Sequence, residues 1–416
     1  MPGGAAGDGG EVRLDLELHS PPPACGRGEE ALPPRGTILL LAAIAALGSL
    51  ATQLLIPALP ALARELHTGA DDAQLVIGVY LVGLGAGQLL AGPFADRIGR
   101  KPVLLAGLAL YCLASAAAAL APTMPLLLVA RACQALGGAA GVMTARVLVG
   151  DLYPSEAAAG KQATLMAVVL ISPALAPVIG GLVSEVAGWR SLFAGLAVAG
   201  MAGAVLSATA LPETRARTGG GPALSLAAGL RRLSRSSAFL RPAVAVMGGS
   251  SALYMYLGTA PFLLHADHGL RPREIGLCLM LVAGASIAGT FLVAPIERRG
   301  DAMLAGSALN FAAALLLLAL GLAGLHSLAA FLVPTTLLGL GAGMSGPAGF
   351  SRIIAAEAGL EGTAASLAGA AQMFTAALAA LALGRFAPVG QVDLAIGLTL
   401  ATAAALLATI RRFPRM

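Results

Sequence analysis

The residues whose types and spacing could do chemistry are few, and most sit inside or beside long apolar runs. Arg131 falls mid-run in Leu128-Val-Ala-Arg131-Ala-Cys-Gln134-Ala-Leu-Gly137-Gly138. An arginine at the centre of a membrane helix costs about 2.5–3.5 kcal/mol on insertion scales. It must therefore face a protein interior or a wet cavity, or else snorkel to a helix end. A compact charged turn, Gly92-Pro-Phe-Ala-Asp96-Arg97-Ile-Gly99-Arg100-Lys101-Pro102, stands between two apolar runs. Tyr80, Gln88, Tyr254 and Tyr256 are candidates for lining a central cavity, because amphipathic side chains suit molecules of mixed polarity. Core packing with a satisfied hydroxyl is the competing reading for each.

These groups could bind and move a solute; they do not form a bond-breaking constellation. His265, Asp267 and His268 have the composition of a metal triplet but fall in a short loop, where a solvated role is expected. Cys112, Cys133 and Cys278 show no metal spacing and read as small buried hydrophobes. There is no Gly-x-x-x-x-Gly-Lys-Ser/Thr phosphate loop and no conspicuous Ser/His/Asp set. An enzyme is not expected, nor a metal or cofactor.

The elements that must position these residues follow from composition. The 416 residues are 57% hydrophobic and 11% charged, with a mean hydropathy of +0.84. Soluble domains carry about 25% charged residues, so the balance calls for a lipid solvent. The formal charge of +5 is scattered between apolar runs and forms no basic stripe with aromatics, which argues against nucleic acid. Twelve runs can each cross a bilayer: near 37–60, 73–95, 102–121, 125–148, 161–186, 191–211, 242–264, 274–296, 301–321, 328–350, 362–386 and 391–411. Residues 1–36 read as a disordered tail, and 412–416 as a short one. The widest gap, 212–241, divides the runs six and six. The expected class is an all-α membrane protein with bundles over 37–211 and 242–411.

Both termini and the central loop are expected in the cytoplasm. That orientation places 20 of the 26 Lys and Arg residues there, as the positive-inside rule requires. The halves also match in punctuation. Pro93 leads through Asp96-Arg97 to Val103-Leu-Leu-Ala-Gly107, and Pro295 through Glu297-Arg298-Arg299 to Met303-Leu-Ala-Gly306. Pro57-Ala-Leu-Pro60 ends the first run, and Ala260-Pro261-Phe262-Leu the seventh. Such pairing points to a duplicated transporter.

Gly92-x-x-x-Asp96-Arg97-x-Gly99-Arg100-Lys101 resembles the loop signature of the major facilitator superfamily between its second and third helices. The resemblance implies twelve helices in two six-helix bundles, and it casts the turn as a conformational latch. Asp96 would then sit against the N-terminal end of helix eleven. Arg131 resembles the family's fourth-helix Arg-x-x-Gln-Gly motif, with Gly137 displaced, and the implied role is substrate contact or proton coupling. Ser172-Pro173-x-x-x-Pro177-x-x-Gly180-Gly181 is similar to the antiporter motif of drug exporters, with Ala176 where a glycine usually stands. The prolines would loosen the helix as a hinge and the glycines allow close crossing.

Ile56-Pro57-Ala-Leu-Pro60, Tyr80-x-x-Gly83-x-x-x-Gly87-Gln88, Arg146-x-x-x-x-Asp151-Leu-Tyr153 and Gly188-Trp189-Arg190-x-x-Phe193 together resemble the Bcr/CflA branch of drug efflux pumps. The resemblance implies export of small, largely apolar drug-like compounds by proton antiport across a bacterial inner membrane, by a monomer in the lipid bilayer. Uptake or export of a polar metabolite, such as a sugar or amino-acid derivative, is the alternative on the same fold. One position departs from the branch: Gln53 stands where an Asp usually precedes the proline ending helix one. Glutamine cannot titrate, whereas a membrane-embedded carboxylate is a natural proton carrier. Asp151, Glu185 and Glu65 all lie near helix ends, and one such acid acting with Arg131 could substitute. Otherwise the protein couples differently, or substrate charge drives exchange.

Overall fold

Inside a hydrocarbon layer no water satisfies the backbone, so an apolar run must close its own hydrogen bonds as a helix. The computed structural model describes residues 36–153, 155–214, 226–357, 360–385 and 389–410. Apart from Gly36, both tails lie outside the described residues. The helices are α1 (Thr37–Gln53), α2 (Leu59–Glu65), α3 (Ala70–Ile98), α4 (Arg100–Ala119), α5 (Met124–Leu152), α6 (Ser155–Ala187), α7 (Trp189–Ala210), α8 (Leu226–Leu233), α9 (Ser237–His268), α10 (Pro272–Glu297), α11 (Ala302–Leu322), α12 (Leu328–Ile354), α13 (Glu361–Gly384) and α14 (Gln391–Ile410).

Several boundaries differ from the sequence expectation: α3 continues through most of the charged turn to Ile98, α6 begins at Ser155, and α9 takes in His265, Asp267 and His268, expected in a loop. The first run is broken: α1 stops at Gln53, Ile56–Ala58 form one 3-10 turn, and α2 carries on to Glu65. Pro57 has no N–H to give to the Gln53 carbonyl four residues back, which weakens the helix at the point where it breaks. The stretch expected as loop, 212–241, contains α8 and the first residues of α9.

Counting α1 and α2 as one, twelve segments are long enough to span a bilayer. Among the described residues, eleven also pass by apolar composition. The exception is α9, 32 residues long, whose Gly248-Gly-Ser-Ser251 and two tyrosines dilute its hydropathy. Large apolar side chains such as Leu113, Val186, Phe291 and Leu400 are exposed on the outer faces. That pattern suits lipid contact rather than water.

The two halves pack alike. In the first, α4 lies against α5 and α7, α3 against α5, and α1 against α5, α6 and α7. In the second, α11 lies against α12 and α14, α10 against α12, and α9 against α12, α13 and α14. Thus α1, α3, α4, α5, α6 and α7 correspond to α9, α10, α11, α12, α13 and α14. The halves meet chiefly where α6 crosses α10 and α3 crosses α13, again a symmetric pair.

Candidate transport site

A cavity of about 230 Å³ opens where the halves meet. The first half contributes Ser49 and Gln53 from α1, with Pro173 and Pro177 from α6; the second contributes α9, α10 and Gly339 of α12. Its wall is mostly aliphatic. The polar side chains on it are Ser49, Gln53, Tyr254 and Ser286. Ser49 is engaged, its hydroxyl 2.8 Å from that of Ser172. Gln53 is only 8% exposed, and its amide has no hydrogen-bond partner among the described residues. Counting back from the matched prolines Pro57 and Pro261, Gln53 corresponds to Leu257 and Ser49 to Leu253. All four line the cavity.

The break in α1 puts Gln53 there, and neighbouring helices stabilise the break. The Leu55 N–H turns to the Thr52 carbonyl at 3.2 Å, which leaves the Ala51 carbonyl without its usual helical donor. Arg131 fills the role: its Nη1 donates to Ala51 O at 3.1 Å and to Gln134 Oε1 at 2.7 Å, and its Nε donates to Val76 O at 3.3 Å. The guanidinium lies 4.0 Å from the Tyr80 ring centre and 5.6 Å from that of Phe193. Gln134 passes the chain on to Ser115 Oγ at 2.7 Å, which donates to Tyr111 O at 2.6 Å. Arg131 is 0% exposed, so it does not snorkel. Among the described residues no carboxylate pairs with it.

On the other side of the break, a Cβ added to Gly180 would collide with the Leu54 carbonyl. One added to Gly181 would collide with the Pro272 carbonyl at the start of α10. These two glycines let α6 touch both the break and the opposite half. Helix α6 runs on through Pro173 and Pro177, both on the cavity wall.

The remaining expected cavity residues lie elsewhere. Tyr80 is fully buried within the first half, where its hydroxyl donates to Gly48 O at 2.8 Å. Tyr256 is buried and stacks on Phe331 with ring centres 6.2 Å apart. Gln88 is half-buried on α3, facing Gly369 of α13. Only Tyr254 and Gln53 of the sequence candidates reach the cavity, together with the hinge prolines. A tyrosine's ring fits a packed core as well as a cavity wall, so residue type alone could not sort them.

The charged turn forms a separate cluster far from the cavity. Gly99 has φ +107°, a region costly for any residue with a Cβ, and it joins α3 to α4. The Arg100 N–H donates to Glu213 Oε1 at 3.0 Å, and its Nη1 to Ala95 O at 3.0 Å. Arg100 Nε lies 3.4 Å from Asp151 Oδ2, which also accepts from Thr214 Oγ1 at 3.0 Å. Lys101 donates to Ala208 O at 2.8 Å, and Arg97 is exposed. The side chain of Asp96 lies outside the described residues. A Cβ on Gly92 would meet only Met143, at 3.6 Å, so no close helix approach depends on that glycine. Asp151 belongs to this cluster, 20 residues along α5 from Arg131, roughly 30 Å at helical rise. Of the acids near helix ends that could have acted with Arg131, Asp151 is instead bound to Arg100 and Thr214.

The second half has a counterpart that the sequence reading found only in part. Arg352, at the end of α12, forks onto Asp301 at 2.9 Å and Glu297 at 3.2 Å. Burial pushes the Asp301 carboxyl up, but hydrogen bonds from Arg352 and the Leu304 N–H outweigh it and hold it below its ordinary value. At the opposite end of the first half, Glu65 accepts from Trp189 Nε1 at 2.6 Å and from Arg190. Glu213 and Arg352 had no sequence signal, and Glu65 stood out only as an acid near a helix end, because each acts on a partner 50 or more positions away.

Among the described residues, twelve membrane-length segments in two matched halves surround the inter-half cavity, an arrangement that suits a multi-pass membrane transporter. Residues 41–380 match the family model of the Major Facilitator Superfamily, and the chain belongs to that family. It is 30% identical to multidrug resistance protein D of Escherichia coli (strain K12), over 87% of this chain and 92% of the relative. It is 32% identical to a chloramphenicol resistance protein of Pseudomonas aeruginosa, over 73% of each. Among solved structures, an inward-facing, unoccupied bacterial homologue of the human lysosomal transporter Spinster superposes with a TM-score of 0.68 at 16% identity. That match covers 90% of this chain and 94% of the other. The D-xylose–proton symporter superposes at 0.66 and 15% identity, over 89% and 96%. At such identities these two speak to the fold.

Proposed function

We propose that this protein exports small, largely apolar drug-like compounds from a bacterial cell by alternating access, coupled to proton entry. The observation that carries the reading is the cavity between the halves, aliphatic over most of its wall with Gln53 and Tyr254 as polar points. Such a wall suits molecules that partition into membranes and hold a few polar groups. It offers little to a sugar, whose many hydroxyls need a polar partner each. The likeness to multidrug and chloramphenicol resistance proteins supports the same choice.

In this reading the protein works as a monomer in the inner membrane. The Arg100 and Arg352 clusters face the cytoplasm, where the positive-inside rule places their basic loops. The turn at Gly92–Lys101 serves as a latch: its contacts to Asp151 and Glu213 lie within the first half and hold the turn in place while the halves rock. Pro173, Pro177, Gly180 and Gly181 serve as the hinge surface on which that rocking occurs. The test is drug accumulation in a pump-deficient strain, with and without a proton uncoupler. Lowered accumulation that the uncoupler reverses is the expected result; unchanged accumulation across a broad drug panel would refute export.

A further inference from the structure

The cavity's chemistry narrows the substrate class, an inference that rests on the export reading. No charged side chain lines the cavity. Behind α1 lies a buried cation: Arg131, tied to the carbonyl of Ala51 two residues before Gln53. Among the described residues no carboxylate neutralises it. A permanent cation entering this space would give up its hydration, gain no anion, and meet a fixed positive charge behind α1. Gln53 is more than nine-tenths buried, and its amide is unbonded by the described residues. The amide stands on the cavity wall, so a molecule that covers it must both donate and accept or leave it unpaired at a cost. The Tyr254 and Ser286 hydroxyls on the same wall can each do the same.

We infer that the cavity selects uncharged amphiphiles carrying hydrogen-bond donors and acceptors, rejects lipophilic cations, and owes this choice to Gln53. An acid there would provide an anion against which a cation could be bound. The amide provides the same shape and hydrogen-bonding reach without charge.

The experiment uses the full chain in a pump-deficient strain and two probes: chloramphenicol, uncharged, and tetraphenylphosphonium, a permanent lipophilic cation. Wild-type protein should lower steady-state chloramphenicol at least about threefold while leaving the cation unchanged, and Gln53→Glu should lower the cation by about threefold. Wild-type export of both probes alike overturns the selectivity. Gln53→Glu present in the membrane at wild-type level yet without effect on the cation overturns the role of Gln53. Unfolding of the purified wild-type protein gives an independent readout. Stabilisation by chloramphenicol and not by the cation supports the inference, and the reverse overturns it. A wild type that binds chloramphenicol over the cation but exports neither keeps the selectivity and refutes export, so the two failures stay distinct.

Discussion

The two halves of this protein share one packing scheme and differ in what they bury. In the first, the α5 position seven residues from the helix start is Arg131, held by carbonyls of α1 and α3. In the second, the position seven residues into α12 is Thr335, whose hydroxyl turns back to its own helix at Phe331 O, 2.9 Å away. The first half thus carries a charge whose carbonyl partners lie on other helices, and the second carries a hydroxyl satisfied locally. The same asymmetry reaches the cavity, where Ser49 and Gln53 stand opposite Leu253 and Leu257 in the repeat. A duplicated scaffold can keep its crossings because they depend on small residues and shape. It can still divide labour, since one polar side chain changes the chemistry of a wall without changing its volume. Here the first half supplies the amide, the second the Tyr254 and Ser286 hydroxyls and most of the apolar surface.

The charged ends sharpen the contrast. In the first half the cation heads α4 and the acid ends α5, as Arg100 and Asp151. In the second the acid caps α11 and the cation ends α12, as Asp301 and Arg352. The polarity is reversed while the positions are kept. A bridge needs opposite charges at the right separation and is indifferent to which helix bears which.

Replacing the two matched buried groups is the strongest way to break the comparison. Arg131→Leu strands the Ala51 carbonyl and Gln134 and removes the contact with Tyr80. Interhelical polar contacts in membranes average about 0.6 kcal/mol, and a desolvated cation–π contact adds about 2. A stability loss of roughly 2–4 kcal/mol with transport lost is expected, read by thermal unfolding and drug accumulation. A variant as stable and active as wild type would show that the network is ornamental.

Gln53→Asp tests the cavity asymmetry. In liposomes with an imposed pH gradient, the variant should depend on the gradient more steeply than wild type, since burial can bring a carboxylate's pKa toward neutrality. Equal dependence would remove position 53 from coupling.

Arg352→Ala addresses the second-half cluster. Asp301 titrates below its ordinary value in the folded state, so its contribution is present above the unfolded value and lost as pH falls through the folded one. Wild type should lose stability in acid below the ordinary carboxylate range, and the variant should keep only the part due to the Leu304 N–H. Both partners are partly exposed, at 29% and 41%, so solvent screening leaves a shift of only about 1–2 °C.

Thr335→Val is the smallest expected effect, within about 0.5 kcal/mol, because its hydroxyl serves its own helix. A loss matching that of Arg131→Leu would erase the distinction between the halves.

The sequence by itself determined the solvent, the twelve spans, the duplication and the family signature. Each is written in local patterns: apolar length, matched punctuation, and a charged turn of fixed spacing. It also showed that Arg131 needed a shielded site and that position 53 departs from the related pumps. Tertiary structure alone decided which polar residues meet. It sent Tyr80 and Tyr256 into the core and left Tyr254 at the cavity. It put Asp151 with Arg100 instead of Arg131, and brought Ser286 and Glu213 into sites that no motif marked. The reason is geometric. Whether a residue lies within a membrane helix depends on its immediate neighbours in the chain. Which face of that helix meets a cavity depends on how helices far apart in sequence cross, and small residues such as Gly180 and Gly181 set those crossings without declaring their partners.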